Sequence, residues 1–112
     1  EKEEYCYLTT RGRVTGKPHE IEIWFVVHEG ALFIMSGNLE KSDWVKNLLK
    51  EPNVTLRIAG QTFSAIASVD ITSEERLIRN KMADKYKERE ADGSLSEWAQ
   101  TALVVKFSPH KP

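Results

Sequence analysis

The sequence predicts a mainly β fold of the α+β class. About six antiparallel strands curl into a small barrel with two helices beside it. Three observations carry that expectation. Several segments are rich in β-branched and aromatic residues. The links between them are mostly hairpin turns, whereas parallel strands need longer crossovers. A short chain with this many strands also tends to close on itself, which hides the strand edges.

The elements follow in order. Tyr5-Cys6-Tyr7-Leu8-Thr9-Thr10 reads as a strand. A turn-rich stretch holding Gly12, Gly16 and Pro18 follows. Residues 19–28 read as one long strand. Its first half alternates around Ile21 and Ile23, and its second half is continuously apolar, as a strand buried on both faces would be. Glu29-Gly30 forms a hairpin turn into a third strand, residues 31–36, which Gly37 ends. Ser42 is placed to cap a helix over 43–50, whose Trp44, Val45, Leu48 and Leu49 make an apolar stripe. Pro52 stops the helix. Residues 54–58 and 61–71 read as two more strands joined by Ala59-Gly60. Thr72 and Glu75 resemble a capping box opening a helix to about residue 90, with Leu77, Ile78, Met82 and Tyr86 at core spacing. Asp92-Gly93 breaks it, residues 94–100 allow one short helical turn, and 102–107 form the last strand.

Composition sets the bounds. The chain has 112 residues with 16 Lys plus Arg and 17 Asp plus Glu, so its net charge is −1. That balance gives no global electrostatic case for nucleic acid, and the basic residues gather in a turn instead of interleaving with aromatics along strands. The 40% of hydrophobic residues excludes disorder and fits a single domain over 1–112. No apolar run approaches the roughly 20 residues that a membrane span needs. Cys6 is the only cysteine, which excludes a disulfide scaffold and fits a reducing cytoplasm. The sequence begins at Glu1 without a charged-then-apolar leader, so export is not expected. A domain this small would sacrifice core to enclose a large ligand. A surface groove or the interface of a homodimer is the expected place for one.

Two clusters could carry chemistry. The stretch from Thr9 to His19 contains Arg11, Arg13, Lys17 and His19 and no acid. Gly12 and Gly16 let the backbone turn and approach a ligand, and Thr9, Thr10 and Thr15 add hydroxyls. Charge, forked donors and exposed amides suit a phosphate or carboxylate; a solvated basic hairpin tip is the plainer reading. The second cluster, Ser36-Gly37-Asn38 with Lys41 and Ser42, precedes the helix at 43, whose free amides also suit an anion; an ordinary capped loop would look the same. Trp24 and Trp44 can be core residues or stacking platforms. The three His residues lack metal-ligand spacing. No triad, nucleophile elbow, dinucleotide fingerprint or phosphate loop is present. Catalytic residues therefore remain unassigned, and an enzyme built this way would rely on a cofactor for its chemistry.

Leu8-Thr9-Thr10-Arg11-Gly12-Arg13-Val14-Thr15-Gly16-Lys17-Pro18-His19, followed by Ile23-Trp24-Phe25-Val26, resembles the opening of the flavin/deazaflavin oxidoreductase superfamily. Gly37, Trp44-Val45-Lys46-Asn47-Leu48 and Pro52-Asn53-Val54 resemble its middle, where a Trp-x-x-Asn-Leu helix precedes a Pro-x-Val strand. The resemblance covers about residues 8–58 and is strongest to the deazaflavin-dependent nitroreductase and quinone reductase branch, with similarity also to the pyridoxamine-phosphate-oxidase-like branch. It implies a split β-barrel that binds coenzyme F420, or FMN in other branches. It implies that Arg11, Gly12, Arg13, Thr15, Gly16 and Lys17 contact the anionic tail of the cofactor, and that Met35, Ser36 and Gly37 lie along its ring. Lys41, Ser42, Trp44 and Asn47 fall where the phosphate is held and the ring site closed. Ser42 and Glu22 stand where the family usually has Pro. The implied activity is hydride transfer from reduced F420 to a small electron acceptor: a quinone, nitroaromatic or conjugated enone. An FMN-dependent reductase or oxidase and a non-catalytic carrier or sensor are the alternatives.

Overall fold

The structure is a computed structural model and describes residues 3–69 and 73–109. All strands among the described residues join one antiparallel sheet: β1 (Tyr5–Arg11), β2 (Pro18–Trp24), β3 (Val26–His28), β4 (Ala31–Ser36), β5 (Asn53–Ile58), β6 (Gln61–Ser68) and β7 (Leu103–Pro109). Their order across the sheet is β2-β1-β5-β6-β7-β4-β3. The two edge strands, β2 and β3, are therefore neighbours in sequence with only Phe25 between them. Two Cα steps span at most about 7.6 Å. The sheet must curl until its edges meet at Phe25, and the result is a split barrel.

The expected single strand over 19–28 is thus two strands, and the sheet has seven strands where about six were expected. The cause lies at Phe25. Its ring is fully buried in the barrel, while its backbone N–H donates to the Tyr86 hydroxyl at 2.9 Å instead of to a neighbouring strand. The chain changes sheet partner there, from β1 to β4. The two predicted hairpins form as expected. Glu29-Gly30 and Ala59-Gly60 both have positive φ at each turn residue, the geometry that matches strand twist.

Among the described residues three α-helices flank the sheet: α1 (Asp43–Lys50), α2 (Glu75–Tyr86) and α3 (Glu97–Thr101), with a 3-10 turn at Leu39–Lys41. α1 has the predicted bounds, but Ser42 makes no side-chain cap bond. α2 is shorter than expected and ends where Lys87 turns left-handed, at φ 59°. Leu77 faces outward, whereas Ile78 and Met82 are buried. The Thr72 half of the proposed capping box lies outside the described residues, as does the end of the strand expected to reach 71. α3 is the predicted short helical turn, and the Ser96 hydroxyl caps it by accepting from Ala99 N. Among the described residues, no helix is long and apolar enough to cross a membrane.

The core has two parts, and β4 separates them. Leu32 and Ile34 point into the barrel with Cys6, Leu8, Phe25, Leu56 and Phe107. Phe33 and Met35 point the other way, against Ile78 and Met82 of α2 and Val104 of β7. Alternation by two explains why every residue of β4 is buried and why the strand reads as continuously apolar.

Candidate functional site

The β1–β2 turn is built around Gly12. Its N–H donates to the Lys17 carbonyl at 2.8 Å, and its own carbonyl accepts from Gly16 N–H at 2.8 Å. A Cβ at position 12 would sit 2.8 Å from His19 Nε2 and 3.3 Å from the Lys17 carbonyl, so a side chain there would push the His19 ring aside. Gly16 adopts φ 74°, where a side chain is strained. Arg11 donates to the Gly16 carbonyl at 3.1 Å, and the Thr15 hydroxyl accepts from Lys17 N–H at 3.3 Å. The cationic residues are thus part of an ordered turn.

α1 holds this turn through one buried amide. Asn47 Oδ1 accepts from Arg13 Nη1 at 2.8 Å and from Arg13 N–H at 3.2 Å, while its Nδ2 donates to Thr10 Oγ1 at 3.2 Å. Arg13 Nη2 reaches Asp43 at 3.2 Å, and Lys50 Nζ donates to the Arg13 carbonyl at 2.9 Å. Both Asn47 and Thr10 are almost fully buried. These bonds aim the Arg13 guanidinium along α1 and leave part of its donor fork unspent.

A cavity of about 640 Å³ opens between the turn and α1. Five of the sequence-predicted site residues line it together: Gly12, Arg13, Thr15, Trp44 and Asn47. Arg11, Gly16 and Lys17 shape the same turn but do not line the cavity. Lys17 and Lys41 are exposed and form no ion pair among the described residues. Two acids also line the cavity. Asp43 is bound to Arg13, and Glu20 pairs with Arg57 at 3.3 Å. Glu22 is not in this cavity. Its carboxylate turns to the Tyr7 hydroxyl at 2.7 Å, and its charge and hydrogen bond raise the Tyr7 pKa.

The second predicted cluster divides. The Ser36 hydroxyl donates to the Leu39 carbonyl at 2.9 Å and lies 2.9 Å from Ser42 Oγ, which must then donate to it. This bond replaces the expected helix cap. Met35 and Gly37 belong to a different neighbourhood. Met35 lines a second cavity of about 480 Å³ with Trp24 and Trp98, and Gly37 lies beneath the Trp98 indole. Tyr86, which sequence reasoning left unassigned, organises this side. Its ring stacks on Trp24 at 4.3 Å, and its hydroxyl accepts from Phe25 N–H and donates to the Glu4 carbonyl at 2.7 Å. Burial pushes its pKa up to about 12. The only early signal of that role was its core-like spacing on α2. Among the described residues no group of side chains could hold a metal ion.

These features can be set beside known proteins. A family profile described as F420H(2)-dependent quinone reductase matches residues 1–100. No curated protein sequence matches the chain. Several solved structures share the fold. An F420 reductase has a TM-score of 0.68 and 17% identity, over 99% of this chain and 90% of the other. The heme storage protein HutZ from Vibrio cholerae has a TM-score of 0.74 and 22% identity, over 99% and 84%. A structure described as a domain-swapped dimer has a TM-score of 0.68 and 15% identity, over 94% and 80%. At these identities the structures establish the split-barrel fold. The profile covers most of the chain, including both the turn and α1, and so the chain belongs to the F420H(2)-dependent quinone reductase family.

Proposed function

We propose that the protein passes a hydride from reduced coenzyme F420 to a small acceptor (a quinone, nitroaromatic or conjugated enone), with the anionic tail of the cofactor held at the β1–β2 turn. The observation that carries this reading is the junction of Arg13 with Asn47 of α1 at the mouth of the 640 Å³ cavity. The residues there suit such a tail. A guanidinium is fixed in place with donors to spare, Gly12 keeps the backbone free of a side chain, and the turn carries a second cation in Lys17. Of the two acids on that strand, Glu22 points to Tyr7, and Glu20, which lines the cavity, is paired with Arg57.

When bound, the reduced cofactor supplies the hydride. The protein's own residues bind and orient. Arg13, with Lys17 and Arg11 behind it, neutralises negative charge, and Thr15 offers a hydroxyl at the rim. Trp44, half-buried between the cavity and the core, presents an aromatic wall. Lys41 and the loop at Ser36–Ser42 flank the entrance of α1. We place the working unit as a homodimer, a reading supported by the small size of the barrel and by the similar fold described as a domain-swapped dimer.

Two measurements on one preparation test the function. A ligand of the native state raises the melting temperature, so F420 should raise it more than FMN does. The protein should also oxidise reduced F420 when a soluble naphthoquinone is added, seen as the return of oxidised-cofactor absorbance. A shift with FMN alone would move the assignment to a flavin enzyme. Tight F420 binding without turnover would make the protein a carrier.

A further inference from the structure

The edge strand β3 meets α2 along another cavity of about 420 Å³, lined by Val26, Val27, Lys81, Asp84 and Lys85. Hairpin geometry decides which backbone groups face it. Glu29-Gly30 is a two-residue turn with positive φ at both positions, so His28 and Ala31 bond each other across it. Bonded and non-bonded pairs alternate along an antiparallel ladder. Val26 therefore bonds Phe33, while the N–H and C=O of Val27 point away from β4, off the open edge of the sheet. Phe25, two residues earlier, directs its N–H and C=O the same way.

At Phe25, α2 satisfies both groups. The Tyr86 hydroxyl accepts from Phe25 N–H at 2.9 Å, and Lys85 Nζ donates to the Phe25 carbonyl at 2.9 Å. At Val27 no group among the described residues does the same. Lys81 lies one helical turn before Lys85, on the same face of α2. It is half-buried and makes no hydrogen bond or ion pair among the described residues. Asp84, the acid of the cavity, is exposed and bound to Arg89 at 2.8 Å. The cavity thus sets one backbone donor, one backbone acceptor and one ammonium side by side, next to the apolar stems of two lysines.

We infer that this cavity between β3 and α2 binds an N-acyl amino acid with a free carboxylate. The amide N–H of such a ligand donates to the Val27 carbonyl, as a neighbouring strand residue would. Its carboxylate accepts from Val27 N–H and from Lys81. A simple carboxylic acid leaves the Val27 carbonyl unmatched, and a strand of three residues is too short to register a longer peptide. The inference is independent of the cofactor reading. None of these residues lines the turn cavity or the cavity beside Trp24, and binding needs no F420.

The test titrates N-acetyl-L-leucine and its neutral amide, N-acetyl-L-leucinamide, into the full chain without cofactor, following the backbone amide resonance of Val27. Both should move that resonance, and the acid should bind about tenfold tighter, the size of one charge-assisted contact. Isocaproate, which is the acid without its acetamido group, should bind more weakly than the acid. Lys81→Met keeps the stem and removes the charge. It should bring the acid to the affinity of the amide while amide binding is kept, which also shows that the variant is folded. Equal affinities in the unmodified protein, a preference that survives Lys81→Met, isocaproate binding as tightly as the acid, shifts confined to the Arg13 turn, or no binding at all would overturn the inference.

Discussion

Cys6 and Tyr86 are two weak acids placed where ionisation is costly. Cys6 is fully buried in the barrel, and desolvation raises its pKa from 9.0 to about 12. Tyr86 rises from 10.0 to about 12 for the same reason. The sign of the linkage follows. Below about pH 9 the folded and unfolded chains both keep these protons, and stability does not depend on them. Above it, the unfolded chain releases protons that the folded chain retains, so stability falls as pH rises toward 12. Denaturant midpoints measured from pH 8 to 11 should therefore decline, and Cys6→Ala should flatten part of the slope. A midpoint indifferent to pH over that range would contradict this. Cys6 was already legible as part of the first strand. The role of Tyr86 was hidden, because its partners Phe25 and Glu4 lie far away in sequence and meet it only after the sheet has closed.

At the level of elements, α1 and the β1–β2 turn act as one unit through Asn47. The amide is almost buried and spends both ends, on Arg13 and on Thr10. Asn47→Ala should leave Thr10 and the Arg13 main chain without these partners and destabilise the fold by about 1–3 kcal/mol. Urea unfolding of the variant measures that loss, and an unchanged midpoint would mean the bonds contribute nothing net. The helix itself was legible from its apolar stripe and from Pro52. Other elements were less so. Trp24-Phe25-Val26-Val27 contains no breaker, and the break at Phe25 arises from a hydroxyl on α2 competing for its N–H. α2 read too long because Lys87-Glu88-Arg89-Glu90 are acceptable helix residues. Its stop is a left-handed Lys87, whereas glycine is the usual signal there.

Across the whole molecule, β2 serves two cavities. His19, Glu20 and Ile21 line the turn cavity, and Glu22, Ile23 and Trp24 line the aromatic one. The turn and its contact with α1 were legible in the sequence because the cations and glycines of the turn and the residues of α1 lie in two compact segments. The separation of Met35 and Gly37 from it was not, since it depends on Trp98 folding back over β4 from more than 60 residues away. The central claim is that the turn holds the anionic end of F420. Titration of F420 into the unmodified protein and into the Arg13→Ala, Lys17→Ala double variant tests it directly. The account predicts at least a tenfold weaker dissociation constant in the variant, a loss of about 1.4 kcal/mol. Unchanged affinity in a folded variant would contradict it.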